Sequence, residues 1–124
     1  MPWDGTELWV AELTAAGELA AQRRVAGGPS ESVVQPAWSP DGRLHFVSDR
    51  SGWWNLYRVE SGRGGGAAGA DGACDLTALA PLAAEFAKPP WVFGLQNYDF
   101  LPDGRIAACS VSYTHLTLPT NREV

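Results

Sequence analysis

The tetrapeptide Pro-Asp-Gly-Arg occurs twice in this chain, each time between an aromatic residue and an apolar run: Trp38-Ser39-Pro40-Asp41-Gly42-Arg43-Leu44 and Phe100-Leu101-Pro102-Asp103-Gly104-Arg105-Ile106. The two copies stand 62 residues apart, Trp38 to Phe100. An internal repeat restricts a chain to folds that stack one supersecondary unit against the next. Each copy has a stereochemical reason to be a hairpin tip. Pro40 presets φ for the second position of a type I turn and Asp41 tolerates the third. Gly42 can take the left-handed conformation that lets the returning strand pair with a bulge.

Beyond the first tip, Arg43 to Ser48 places Leu44 and Phe46 on one face and His45 and Val47 on the other, so neither face is polar. A break at Asp49-Arg50-Ser51-Gly52 leads to Trp53-Trp54-Asn55-Leu56-Tyr57-Arg58-Val59, again with large groups on both sides. Antiparallel strands that are apolar on both faces suit sheets stacked between sheets. Upstream, Glu7-Leu8-Trp9-Val10 matches Asn55-Leu56-Tyr57-Arg58 at an offset of 48. Leu13 to Val25 favours helix by composition, yet Ala15-Ala16-Gly17 falls where a hairpin would turn. The segment is therefore expected to be a turn followed by a short strand near Arg23-Arg24-Val25.

The expected fold is all-β, an incomplete β-propeller of about two to three four-stranded antiparallel blades. It is expected over residues 1–109, with blade repeats around 33–60 and 96–109 and a flexible Gly/Ala-rich insertion at 61–73. Closure takes about four to eight blades of about 40 residues or more, so 124 residues are too few for it. Alone, the chain is expected to aggregate or stay poorly ordered, because uncovered apolar faces and strand edges recruit other chains.

A net charge of −5 with scattered signs offers no basic stripe for nucleic acid and no polybasic segment for an anionic membrane. No apolar run approaches the length of a membrane span and no secretion signal opens the chain, so the expected location is cytoplasmic. Cys74 and Cys109 are too few for a disulfide framework or a metal knuckle. Cys109 falls where the other repeat has Val47 and is expected to be core filler.

Trp38 to Leu44, with Phe46, Ser48-Asp49-Arg50, Gly52 and Leu56-Tyr57, resembles the repeat shared by Tol-type periplasmic propellers and the propellers of the prolyl oligopeptidase family of serine peptidases. A narrower resemblance lies in three further segments. These are Met1-Pro2-Trp3-Asp4-Gly5-Thr6-Glu7-Leu8-Trp9-Val10, Ser51-Gly52-Trp53-Trp54-Asn55-Leu56-Tyr57-Arg58, and Ala84-Glu85-Phe86 with Trp91-Val92-Phe93-Gly94. They resemble the propellers of dipeptidyl aminopeptidase or acylaminoacyl-peptidase-like members of that family, over residues 1 to about 109. The resemblance implies that Met1 is an internal methionine and that further blades and an α/β-hydrolase domain with the catalytic Ser, Asp and His are missing partners of this chain. It also implies short peptides as the parent's substrates and a gating role for the propeller. A Tol-type binding propeller with no enzyme attached is the alternative.

Val111 to Thr120 back-translates without a mismatch as GTC TCT TAT ACA CAT CTG ACG CTG CCG ACG, a transposon-end adaptor used in sequencing libraries, and Ser110 can supply the two bases before it. Residues 110–124 are therefore expected to be an artefactual tail, and His115 carries no functional weight.

The chain has no Gly-x-Ser-x-Gly, and outside the tail its one histidine, His45, lies in a repeat strand where packing or a hydrogen bond is its expected role. No catalytic residue, cofactor site or metal site is assigned, and the chain alone is expected to be inactive. Of six tryptophans, Trp9, Trp38, Trp53 and Trp54 are expected to pack between sheets, while Trp3 and Trp91, in connections, are candidates for lining a channel. Asp49 and Gly52 belong to the turn after the second strand, as Pro102, Asp103 and Gly104 belong to the second tip. The paired propeller glutamates that hold a substrate amino terminus in some relatives have no sequence counterpart here. The glycines of 62–69 lack the Lys-Ser/Thr of a phosphate loop.

Overall fold

A computed structural model describes residues 2–60 and 75–110. It contains eight strands: β1 (Glu7–Leu13), β2 (Leu19–Gly27), β3 (Val33–Trp38), β4 (Leu44–Ser48), β5 (Asn55–Val59), β6 (Leu76–Ala78), β7 (Tyr98–Phe100) and β8 (Ile106–Ala108). They form one four-stranded antiparallel sheet, β3-β4-β5-β6, with the pair β1-β2 on one side and the pair β7-β8 on the other. This is part of a β-propeller, one four-stranded blade between two further pieces. The insertion expected at 61–73, Cys74 and the tail residues from 111 onward lie outside the described residues. Among the described residues no helix is long and apolar enough to cross a membrane.

The stacking follows from the two-faced strands. Leu44 and Phe46 join Val25, Ala26, Val33, Tyr57 and Val59 in a cluster between the blade and β1-β2. Val47 faces the opposite way, into a cluster with Val34, Leu56, Ala84, Phe86, Tyr98 and Ile106 that joins the blade to β7-β8. Every residue of β4 is buried, as a strand inside a stack of sheets must be. Asn55 fixes the connection after β6: its side-chain amide donates to the Leu82 and Ala84 carbonyls at 3.1 and 3.0 Å, and its Oδ1 accepts from the Leu82 N–H at 3.1 Å.

Both Pro-Asp-Gly-Arg tips are bulged hairpin turns. The Gly42 N–H donates to the Ser39 carbonyl at 2.9 Å and the Ser39 N–H to the Arg43 carbonyl at 2.8 Å. Gly104 to Leu101 and Leu101 to Arg105 repeat the pattern at 2.9 and 2.8 Å. Gly42 and Gly104 sit at φ of 87° and 91°. A Cβ at Gly42 would meet nothing within 4 Å, so Gly42→Ala isolates the backbone term and is expected to cost about 1–2 kcal/mol in chemical denaturation. A loss indistinguishable from zero would contradict the bulged turn.

Three expectations need correction. The turn at 15–17 forms, with the Gly17 N–H bonded to the Thr14 carbonyl at 2.9 Å. The strand after it, however, runs from Leu19 to Gly27, because pairing with β1 continues along the whole hairpin and overrides local helix propensity. Cys109 is exposed rather than core filler. Its counterpart Val47 points toward a following sheet, whereas no described sheet follows β8. Trp9, Trp38 and Trp53 are 54%, 60% and 40% exposed, so only Trp54 of the four packs as expected, against the cluster around Phe86. The reason for Trp38 is visible in the other repeat. Its counterpart Phe100 packs edge-on against His45 of the preceding blade at 4.8 Å, and nothing described precedes the blade at the equivalent place beside Trp38.

Candidate functional site

One end of the stack carries the connections 2–6, 28–32, 49–54 and 79–97. Here the structure brings Trp3 and Trp91 together, with ring centroids 4.6 Å apart and planes at 88°. Edge-to-face geometry is what the ring quadrupoles favour. Local turns deliver both residues. Gly5, at φ 75°, closes the Trp3 turn beside Pro29, and the Trp91 N–H donates to the Pro89 carbonyl at 2.8 Å. Trp91 stays 67% exposed and is followed by exposed Val92 and Phe93. The arrangement is an aromatic platform joining two connections, able to pack against apolar or cationic groups.

Below the platform, polar side chains hold the blade ends in place. Asp49 accepts from the Ser32 N–H at 2.7 Å, and the Gly52 N–H donates to the Asp49 carbonyl at 2.8 Å. Gly52, at φ 96°, completes that turn. Arg50 grips Glu31 through Nε at 2.9 Å and a terminal nitrogen at 3.3 Å, and Ser48 also donates to that carboxylate. Burial pushes the Glu31 carboxyl up, but the hydrogen bonds from Arg50 and Ser48 outweigh it and hold the group below its ordinary value. Glu85 accepts the Trp54 N–H at 2.6 Å. These two glutamates are thus engaged in separate structural bonds.

Sequence reasoning missed the Gln35–Asn97 pair. The Gln35 side-chain N–H donates to Asn97 Oδ1 and the Asn97 backbone N–H donates to Gln35 Oε1, both at 2.8 Å, while the buried Tyr98 hydroxyl donates to the Gln35 carbonyl at 2.7 Å. Desolvation pushes the Tyr98 hydroxyl far up, so it stays protonated and remains a donor. Gln35 reaches this position from a bulge in β3, at φ 55°. The signal was present in the numbering: Gln35 and Asn97 are separated by the same 62 residues as the two tips.

His45 is buried, its Nδ1 3.1 Å from the Arg43 carbonyl and its ring against Phe100. Neither neighbour is a nucleophile. Desolvation lowers its pKa below 6.5, opposed by the Arg43 carbonyl, with Arg58 lowering it further and Asp41 and Glu60 raising it. The neutral ring therefore stabilises the fold fully above about pH 6.5, and that contribution is lost as pH falls through 6.5 toward the lower folded-state value. Chemical denaturation between pH 7 and 5 is expected to show this loss, and His45→Gln to flatten it. The Glu31 contribution is retained across that window, because a lowered carboxylate pKa acts only below about 4.5. A His45→Gln profile that matches the parent would contradict the assignment.

Among the described residues no group of three His, Cys, Asp or Glu side chains could hold a metal ion.

The stacked blades and repeated bulged tips, with the likeness that follows, make this chain a propeller segment of the prolyl oligopeptidase family. It is similar to the crystal structure of a puromycin hydrolase, with 42% identity over 89% of this chain and a TM-score of 0.72. It is also similar to a puromycin-hydrolyzing peptidase of Mycobacterium tuberculosis, with 39% identity over 89% of this chain and a TM-score of 0.73. The chain spans 15% of the length of each. No protein-family model and no curated protein sequence matches it.

Proposed function

We propose that this chain is a non-catalytic propeller segment of a serine exopeptidase or oligopeptidase of the dipeptidyl aminopeptidase or acylaminoacyl-peptidase kind. In the intact protein, a cytoplasmic one on this proposal, the propeller gates the access of short peptides to a separate α/β-hydrolase domain. The observation that carries this reading is 39–42% identity across 89% of the chain to structures named for puromycin hydrolysis. A propeller contributes here by sieving and positioning substrate, which changes how much substrate reaches the nucleophile without supplying a proton or a bond. On this reading Trp3 and Trp91 line the entry.

The test is to sequence the source locus outward from the codons for Asp99 to Cys109. A frame running into a hydrolase domain with Gly-x-Ser-x-Gly supports the proposal. Further repeats followed by a stop overturn it and leave the Tol-type binding module. In the extended protein, with puromycin as first substrate, Trp91→Ala is expected to raise KM by about 3- to 10-fold while kcat stays nearly constant. Unchanged KM removes Trp91 from the entry.

A further inference from the structure

The step from the last strand of one unit to the first strand of the next is made twice, in different ways. Between β2 and β3 it takes residues 28–32, and between β6 and β7 it takes residues 79–97. Unstructured connections beyond about 12–15 residues are uncommon in compact domains and are most often lids or binding loops.

The long connection is held at both ends and less engaged between them. At the near end the Asn55 side chain holds Leu82 and Ala84, and Glu85 accepts from the Trp54 N–H at 2.6 Å. The Phe86 N–H donates to the Trp54 carbonyl at 2.7 Å, and Phe86 and Ala87 are buried. At the far end Asn97 is tied to Gln35, and its carbonyl accepts from the Cys109 N–H at 2.8 Å. From Lys88 to Gln96 every residue is exposed or half-buried. Within this stretch the Trp91 ring, 4.6 Å from that of Trp3 between centroids, reaches back to the connection 2–6. The anchors and the ring contact are made by the complete blade, the connections and the β7-β8 hairpin, and none lies on an open strand edge.

The backbone between the anchors is suited to movement. Pro89 and Pro90 fix φ at consecutive residues, which makes the near part a stiff lever. Gly94, at φ 82° with open space around it, can absorb a change of direction. An edge-to-face ring pair is weak beside two hydrogen-bonded anchors, so it is the contact that gives first.

We infer that residues 88–96 are a hinged arm latched by Trp91 on Trp3, and that this arm is the moving part of the gate. Latched, it narrows the entry; released, it admits longer peptides. The gate rests on the peptidase reading given above, whereas the latch rests on the contacts alone.

The test uses the extended protein expressed from the source locus and has two readouts. Chymotrypsin cleavage after Trp91 or Phe93 reports release of the arm, because cleavage tracks the population of the open form. Trp3→Ala is expected to speed this cut about 3- to 10-fold with the urea midpoint of the propeller unchanged. Trp3→Leu keeps apolar bulk without a ring face, so it serves if the alanine variant does not fold, and the same acceleration is expected. Trp3→Phe restores a ring and is expected to return the rate close to that of the parent. The second readout is kcat/KM for a longer peptide divided by kcat/KM for a dipeptide, a ratio expected to rise about 3- to 10-fold in Trp3→Ala. An active peptidase in which Trp3→Ala and Trp3→Leu change neither the cut nor the ratio overturns the arm and leaves the peptidase reading in place. A protein without peptidase activity overturns that reading and the gate with it, while the cut still reports the latch.

Discussion

Replacing Phe46 with alanine is expected to lower stability by about 3–5 kcal/mol, a large share of a domain's net stability of about 5–15 kcal/mol. Phe46 is completely buried and its ring stacks on Tyr57. It sits where Val25 and Ala26 of β2 meet Val33, Leu44 and Val59 of the blade. Truncation therefore removes both the transfer free energy of the ring and the contacts across the seam to β1-β2. The cavity left behind is walled by strands whose backbones are fixed in a ladder, so it cannot easily collapse. Urea denaturation measures the loss, and Phe46→Leu, which keeps much of the volume, is expected to cost less than half as much. A loss below about 1 kcal/mol would mean that the blade and β1-β2 do not pack through this residue.

The second large effect is at Gly27, at the end of β2. Its φ is 105°, and a Cβ there would stand 2.3 Å from the Thr6 carbonyl oxygen and 2.6 Å from the Glu7 Cα. Both are backbone atoms at the start of β1, held by the Gly28 and Thr6 hydrogen bonds, so neither can swing aside as a side chain would. Gly27→Ala is expected to cost about 3–5 kcal/mol, combining left-handed strain with the displacement of β1. Gly17→Ala separates the two terms, since Gly17 has φ 86° but open space around it, and about 1–2 kcal/mol is expected. Hydrogen exchange would place the damage: Gly27→Ala should release the amides of Glu7–Leu13 and Leu19–Gly27 well before those of β4. Equal losses for the two variants would show that the clash is relieved at no cost.

The sequence was most informative where stereochemistry is local. Pro40, Asp41 and Gly42 specify a bulged turn through φ preferences alone, and Pro102, Asp103 and Gly104 specify it again, so the tips could be located without any tertiary knowledge. Leu44, Phe46 and Val47 revealed a two-faced strand because alternation is also local. Which sheet covers each face is a different matter. Cys109 and Val47 occupy equivalent positions, but one is covered and the other is not, and only the strand order explains this. Trp9 and Trp38 follow the same rule, as their aromatic character identifies them as packing groups but does not say whether a neighbouring strand is there to receive them. The Gln35 bulge was hidden because glutamine has no strong preference for φ 55°, and its conformation is imposed by partners 62 residues away. Trp3 and Trp91 could be identified individually as connection aromatics, but their contact depends on how two loops converge.

The reciprocal bond between Gln35 and Asn97 joins two residues that hold the same place in successive repeat units. A bond of that kind cannot be satisfied within one unit, so the units are not free to diverge separately. A change at either amide is felt in the neighbour, whose donor or acceptor is left facing nothing. Any unit gained or lost as a whole must therefore bring a compatible amide to this position, which makes one side chain a condition on how the repeat can be multiplied.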